Sequence, residues 1–217
     1  APLGADISGS VYLEPDGNFP NHAPNPENAE AMDCLSKAVV SSHSDLGVIF
    51  DTDVDRAACV GKDGFEINRN RLVALASEIA LEGCPGGTIV TDSVTSDGLA
   101  AFIAAKGGKH LRFKRGYRNV INKQLELCAE GVKCPLAMET SGHAAFAENY
   151  FLDDGAYLIT KLIIKAAALS ERGLALESLI DGLAEPAEER ELRFKILCDD
   201  FRPVGEKVIA HFERAAV

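Results

Sequence analysis

Between Arg71 and Glu139 the chain repeats one alternation: a stretch of helical period, then a short apolar run. The spacing predicts helices over Arg71 to Glu82, Ser96 to Ala105 and Val120 to Glu130, each followed by a strand, at Thr88 to Thr91, His110 to Phe113 and Leu136 to Glu139. Strands separated by helices pair side by side under crossover connections, so this stretch is confined to an α/β layer. A longer helix is expected over Asp153 to Arg172, with Asp153 and Asp154 favourable at its amino end and Arg172-Gly173 suited to its close.

Upstream, residues 14–28 are crowded with Pro, Gly, Asn and Asp and form a loop. A helix over Asn28 to His43, with Met32, Leu35, Val39 and Val40 on one face, feeds a strand over Asp45 to Phe50. A short strand over Arg56 to Val60 then turns through Gly61-Lys62-Asp63-Gly64 into Phe65 to Asn68 as a hairpin. Downstream, a short helix near Leu176 to Leu183 precedes a linker at Glu185-Pro186. A strand over Arg190 to Leu197 and an amphipathic helix over Phe201 to Ala215 follow.

The net charge of -11 argues against nucleic acid as a partner, because counterion release needs a basic surface. No apolar stretch approaches the roughly 18 residues of a membrane span, and no signal peptide is visible, so a soluble chain is expected. Six scattered cysteines without a Cys-x-x-Cys pair suit reduced thiols in a cytosol-like compartment. The start, Ala1-Pro2-Leu3-Gly4, with Met32 and Met138 as the only methionines, points to a piece of a longer chain.

Three aspartates at alternate positions, Asp51, Asp53 and Asp55, close the apolar run that ends at Phe50, and Arg56 follows. Carboxylates so close repel one another unless they take up protons or a cation neutralises them. A hard divalent cation does so most directly, Mg²⁺ first, which leaves positions open for phosphate oxygens beside the Arg56 fork. The plainer reading is a solvated acidic turn. An EF-hand is excluded, since Arg56 falls where that loop needs glycine and Lys62 where it needs glutamate.

Two further loops follow predicted strands, where open α/β sheets bind ligands. Glu139-Thr140-Ser141-Gly142-His143 brings a carboxylate, hydroxyls and an imidazole suited to sugar hydroxyls. Lys114-Arg115-Gly116-Tyr117-Arg118 gathers three cations suited to phosphate, or is a solvated basic turn. The segment Asp92 to Gly98 is read as a helix cap with Ser96 or Thr95 as the capping residue, and Ser41-Ser42-His43-Ser44 as a decoy for a nucleophile and base.

Asp51-Thr52-Asp53-Val54-Asp55-Arg56 resembles the Asp-x-Asp-x-Asp-Arg metal loop of the α-D-phosphohexomutases, the phosphoglucomutase and phosphomannomutase superfamily. Glu139-Thr140-Ser141-Gly142-His143 resembles its sugar loop, usually Gly-Glu-Met-Ser-Gly-His, and residues 14–26 and Asp153-Asp154-Gly155 resemble flanking segments, closest to a plant-like phosphoglucomutase branch. The resemblance implies an α/β/α layered domain with a mixed sheet over 66–185. It is flanked by the end of a second domain over 1–65, which carries the metal loop, and the start of a fourth over 186–217. It implies that Asp51, Asp53 and Asp55 hold Mg²⁺ against a phosphoserine supplied by another domain. Arg56 would add to the electrostatic clamp, and Glu139 and Ser141 would hold the hexose with His143 supporting; Arg115 and Arg118 would take over the cationic role, beside Lys114 of the same basic loop. The intact protein would then interconvert hexose 1-phosphate and hexose 6-phosphate through a hexose 1,6-bisphosphate, in the cytoplasm or a plastid. No Ser-His-Asn-Pro-like nucleophile loop occurs in this chain, so the piece alone is expected to be inactive. Met138, Thr140, Tyr117 and Val94 depart from the usual residues at their positions.

Two rivals stand beside this. Val48 to Val54 also fits the nucleophile motif of haloacid-dehalogenase-type phosphatases, with Asp51 as phosphoryl acceptor, Asp53 as acid/base, Thr91 or Ser93 and Lys114 assisting, and Asp153 and Asp154 on the metal. The other is a non-catalytic fragment that binds metal and sugar phosphate.

Overall fold

Asn28 ends the turn-rich lead-in by accepting a 2.9 Å hydrogen bond from the Ala31 amide, and α1 runs from there over Ala29–Ser42. His43, left-handed at φ 54°, closes it. This computed structural model describes residues 4–190, 192 and 195–215, in two units divided between Glu185 and Pro186.

In the first unit, α1 lays Ala31, Met32 and Val39 onto Ile49, Ala58 and Val60 of a small antiparallel sheet of order β1-β2-β3. Its strands are β1 (Leu46–Phe50), β2 (Ala57–Gly61) and β3 (Glu66–Ile67); β2 and β3 pair as the hairpin signal at Gly61 to Gly64 predicted, and the pairing of β1 with β2 is additional. The other face of β2, through Ala57 and Cys59, joins the main core. That core is organised on α2 (Arg69–Gly83), whose residues from Leu72 to Ala76 are wholly buried; a helix apolar on nearly every side belongs inside a fold.

The second sheet has the order β5-β4-β6-β7. Strands β4 (Thr88–Thr91), β5 (Lys109–Arg112) and β6 (Leu136–Met138) are parallel, and β7 (Ala144–Phe146) returns antiparallel to β6, which makes the sheet mixed. One face packs with α2, α3 (Asp97–Ala105) and α5 (Gly155–Ser170), through Ile89, Leu136, Phe102 and Leu158. The other packs with α4 (Tyr117–Ala129), through Val90, Ala137 and Val120. The expected α/β/α layering is therefore present.

Two differences bear on function. Strand β7 was not foreseen, because Ala144-Ala145-Phe146 is too short to show a period, yet it turns the Glu139 to His143 segment into a hairpin connection. Helix α4 starts at Tyr117 rather than Val120, after Gly116 turns at φ 118° with no side-chain cap to announce it. In the second unit α6 covers Arg202–Ala215. The strand expected over Arg190 to Leu197 falls in part on residues 191, 193 and 194, which lie outside the described residues; its described residues are not in a strand.

His110 on β5 is hydrogen-bonded to Thr91 Oγ1 at 2.7 Å, and burial, assisted by the Arg112 charge, pushes its imidazole from 6.5 down to about 4. The unfolded chain therefore takes up this proton first, and stability falls as pH drops through the window from about 6.5 to about 4. Thermal unfolding followed across that window should show the loss, and His110→Gln should flatten it.

Candidate functional site

The β1–β2 hairpin opens after the Phe50↔Ala57 pair, and Asp51 to Arg56 form its loop. The aspartates therefore sit in a connection rather than at a free strand end, with Asp51 buried, Asp53 exposed and Asp55 half-buried. One carboxylate oxygen from each still falls within 4.8 Å of the others. Val54, left-handed at φ 67°, bends the loop to bring them together.

Arg56 locks this loop from within. Its backbone amide donates to Asp51 Oδ1 at 3.1 Å and its Nε to Oδ2 at 2.8 Å, while Nη1 reaches Asn25 Oδ1 at 3.3 Å. Burial alone would raise the Asp51 carboxyl, but the Arg56 hydrogen bonds and charge outweigh it and hold the group below its usual range. Asp55 is pushed up by burial; His143 opposes this in part, and Asp51, Asp153 and Asp53 add to it. The Arg56 pair thus compensates one carboxylate and leaves the rest of the cluster repelling itself.

The connection from Glu139 to His143 lies directly against this loop. Arg56 and His143 form an antiparallel bridge, the Ala57 amide donates to the Gly142 carbonyl at 3.4 Å, and the Gly155 amide at the start of α5 donates to Val54 at 3.1 Å. His143 Nδ1 lies 2.8 Å from Asp153 Oδ2 and 3.7 Å from Asp55 Oδ2. Burial would lower the His143 pKa, but its hydrogen bond and ion pairing with Asp153 and Asp55 raise it on balance. Tyr117 stacks on the ring at a centroid distance of 5.0 Å.

Glu139, 4% exposed, accepts the Gly116 amide at 2.6 Å on Oε1 and sits 3.4 Å from the Ser141 hydroxyl through Oε2. Gly116 belongs to the cationic loop, so two of the three predicted loops meet at this carboxylate. Within that loop Arg115 lies 3.9 Å from both Glu27 and Asp92, Arg118 covers the Tyr117 ring and Lys114 lies over Phe113. Each of the three cations thus has a different neighbour within the chain. Ser41 and Ser42 bond to carbonyls of their own helix, as befits a decoy, and Ser96 caps α3 through the Leu99 amide.

The carboxylates of Asp51, Asp53 and Asp55 make a donor set of hard oxygens that suits a divalent cation such as Mg²⁺. Asp55, His143 and Asp153 form a second group with ligand atoms within 4.8 Å, and it shares Asp55 with the first. Sequence reasoning missed Asp153 as a partner of His143, because its place before α5 reads as helix-end chemistry. It also missed Glu27 and Asp92, whose contacts are long-range.

Gly142 holds φ at 101°, and a Cβ there would meet the Ala57 carbonyl oxygen at 2.5 Å. Gly142→Ala should therefore lower unfolding free energy by about 2 kcal/mol or more, from backbone strain plus separation of the two loops. Urea denaturation checks this.

Residues 7–64 match the family model of phosphoglucomutase/phosphomannomutase alpha/beta/alpha domain II, and residues 68–186 that of domain III. The chain is 36% identical over 154 residues to a phosphomannomutase/phosphoglucomutase of Pseudomonas aeruginosa, covering 70% of this chain and 32% of that protein. It is 31% identical over 185 residues to a phosphoglucomutase of Neisseria gonorrhoeae, covering 85% and 39%. A crystal structure of a phosphoglucomutase/phosphomannomutase family protein from Burkholderia thailandensis superposes with a TM-score of 0.67 at 34% identity, over 78% of this chain and 35% of that one. The chain thus spans between 32% and 39% of the length of these two curated relatives. With its two matched domains and the interlocked acidic and Glu139 loops between them, the chain belongs to the phosphoglucomutase/phosphomannomutase family.

Proposed function

We propose that this chain carries the metal-binding and sugar-binding loops of a phosphohexomutase, whose intact form interconverts hexose 1-phosphate and hexose 6-phosphate. The observation that carries the reading is the docking of the Asp51 to Arg56 loop on Gly142 and His143, which sets three metal-competent carboxylates beside Glu139, Ser141 and His143. On this reading residues 1–65 end a second domain, 66–185 make a third and 186–217 open a fourth. The family-model matches over 7–64 and 68–186 support the first two. The relatives' names support a hexose phosphate substrate, and a cytoplasmic setting is part of the proposal.

Bound Mg²⁺ would supply electrostatic stabilisation to a transferring phosphoryl group. The chain's own residues prepare that site. Arg56 fixes Asp51 as an anion, and the backbone bond from Gly155 to Val54 holds the loop in its bent form. Glu139 accepts hydrogen bonds from hexose hydroxyls while anchored on the Gly116 amide, with Ser141 beside it. His143, oriented by Asp153 and stacked on Tyr117, sits where its loop pairs with Arg56 of the acidic loop. The phosphoserine and the bisphosphate intermediate belong to the proposed intact enzyme. The 217 residues alone are proposed to bind metal and sugar phosphate without turnover.

The haloacid-dehalogenase-type reading finds little support. Both Asp51 oxygens are occupied by Arg56, which weakens a nucleophile, and Asp51 leaves an antiparallel hairpin strand. Thr91, its intended helper, is buried in β4 against Thr95 and His110.

Conversion of glucose 1-phosphate to glucose 6-phosphate by the full-length parent, with Mg²⁺ and a trace of the 1,6-bisphosphate, tests the reading; no turnover with any hexose phosphate would end it. In the 217-residue chain Asp53→Asn should weaken Mg²⁺ binding by at least about tenfold by calorimetry, since even outer-shell changes cost about 10–100-fold at metal sites. Unchanged affinity would remove the metal assignment. Arg56→Lys should lower parental kcat by about a hundredfold, because a lysine cannot reproduce the fork that holds Asp51.

A further inference from the structure

Asp92 follows β4 with its side chain wholly out of solvent, and nothing in the proposed chemistry uses it. Ser96 alone caps the next helix, so capping does not account for Asp92 either. Its Oδ2 accepts the Thr140 hydroxyl at 2.9 Å, the Arg115 Nε stands 3.9 Å from the same oxygen, and Oδ1 has no partner. A buried carboxylate with an orphaned oxygen is destabilising, and is kept only where the remaining contacts matter. Burial, opposed in part by the Thr140 hydrogen bond, and the neighbouring Glu139 charge push this carboxyl above its usual range.

Both contacts of Asp92 lead to Glu139. Thr140 is the residue next to it in the β6–β7 connection, and Arg115 precedes Gly116, whose amide donates to Glu139 Oε1 at 2.6 Å. Arg115 also faces Glu27 at 3.9 Å, so its charge is shared between two carboxylates of the chain itself. We propose that Asp92 is a positioning residue: by holding Thr140 and facing Arg115 it clamps both sides of the Glu139 carboxylate and fixes its aim at hexose hydroxyls. Arg115 then acts as a brace between the lead-in to α1 and the end of β4. The hexose half of this proposal rests on the mutase reading; the clamp itself rests on the hydrogen bonds.

The clamp is tested in the 217-residue chain by amide hydrogen exchange at Gly116. Thr140→Val removes the hydroxyl at nearly constant volume, whereas Thr140→Ser and Asp92→Asn keep a donor and an acceptor for the contact. Exchange at Gly116 should quicken about tenfold or more in Thr140→Val and stay near wild type in the other two. Unchanged exchange in Thr140→Val, or equal loosening in all three, would overturn the clamp. In the full-length parent the same valine should raise the hexose phosphate KM about tenfold with little change in kcat, as expected for lost uniform binding. A quickened Gly116 amide with KM unmoved would sink the hexose half. Loss of turnover in the unsubstituted parent would instead sink the mutase reading and leave the clamp standing.

Discussion

The site depends on a backbone contact between two hairpin connections from different sheets. The bridge between Arg56 and His143 and the bond from Ala57 to Gly142 join the β1–β2 loop to the β6–β7 loop. Because these are main-chain contacts at close approach, they require glycine at 142 and leave side chains free to face the space between. Gly155 completes the arrangement, since a Cβ there would meet the Val54 carbonyl at 2.8 Å. Without this contact the aspartates and Glu139 would belong to two unrelated surfaces.

Electrostatics divides the carboxylates of this region into roles. Asp51 is compensated by Arg56, and Asp153 by His143. Glu139 is held by a backbone amide and Asp92 by a hydroxyl. Asp53 is exposed, and Asp55 meets the His143 ring at 3.7 Å and shares a hydrogen bond with Asp51. This uneven compensation suits the proposed cation site, with a fixed anion at the base and less compensated carboxylates beside it.

Much of this was legible in the sequence because it is local. The alternate spacing of Asp51, Asp53 and Asp55 before Arg56 survives in any conformation of a short loop, and the layered fold followed from long periodic segments such as α2. Strand β7 was not legible, since three residues carry no period and its pairing depends on a turn at Gly142. The link between His143 and Asp153, and that between Asp92 and Thr140, could not be read at all. Each joins residues brought together only when β6 pairs with β4 and with β7. The partners of the cationic loop were not legible either: Lys114, Arg115 and Arg118 are neighbours in sequence, but Lys114 lies over Phe113, Arg118 over Tyr117 and Arg115 near Glu27 and Asp92.

The central claim is that the acidic loop and the Glu139 loop form one binding site. Titration of glucose 1-phosphate with Mg²⁺ into isotopically labelled 217-residue chain, followed by amide chemical shifts, tests it most directly. The account predicts that the shifts cluster at residues 51–56, Gly116 and 139–143. Shifts gathered instead at the cavity of about 660 Å³ lined by Ile79, Cys84, Cys134 and Pro135 would contradict it, as would none anywhere.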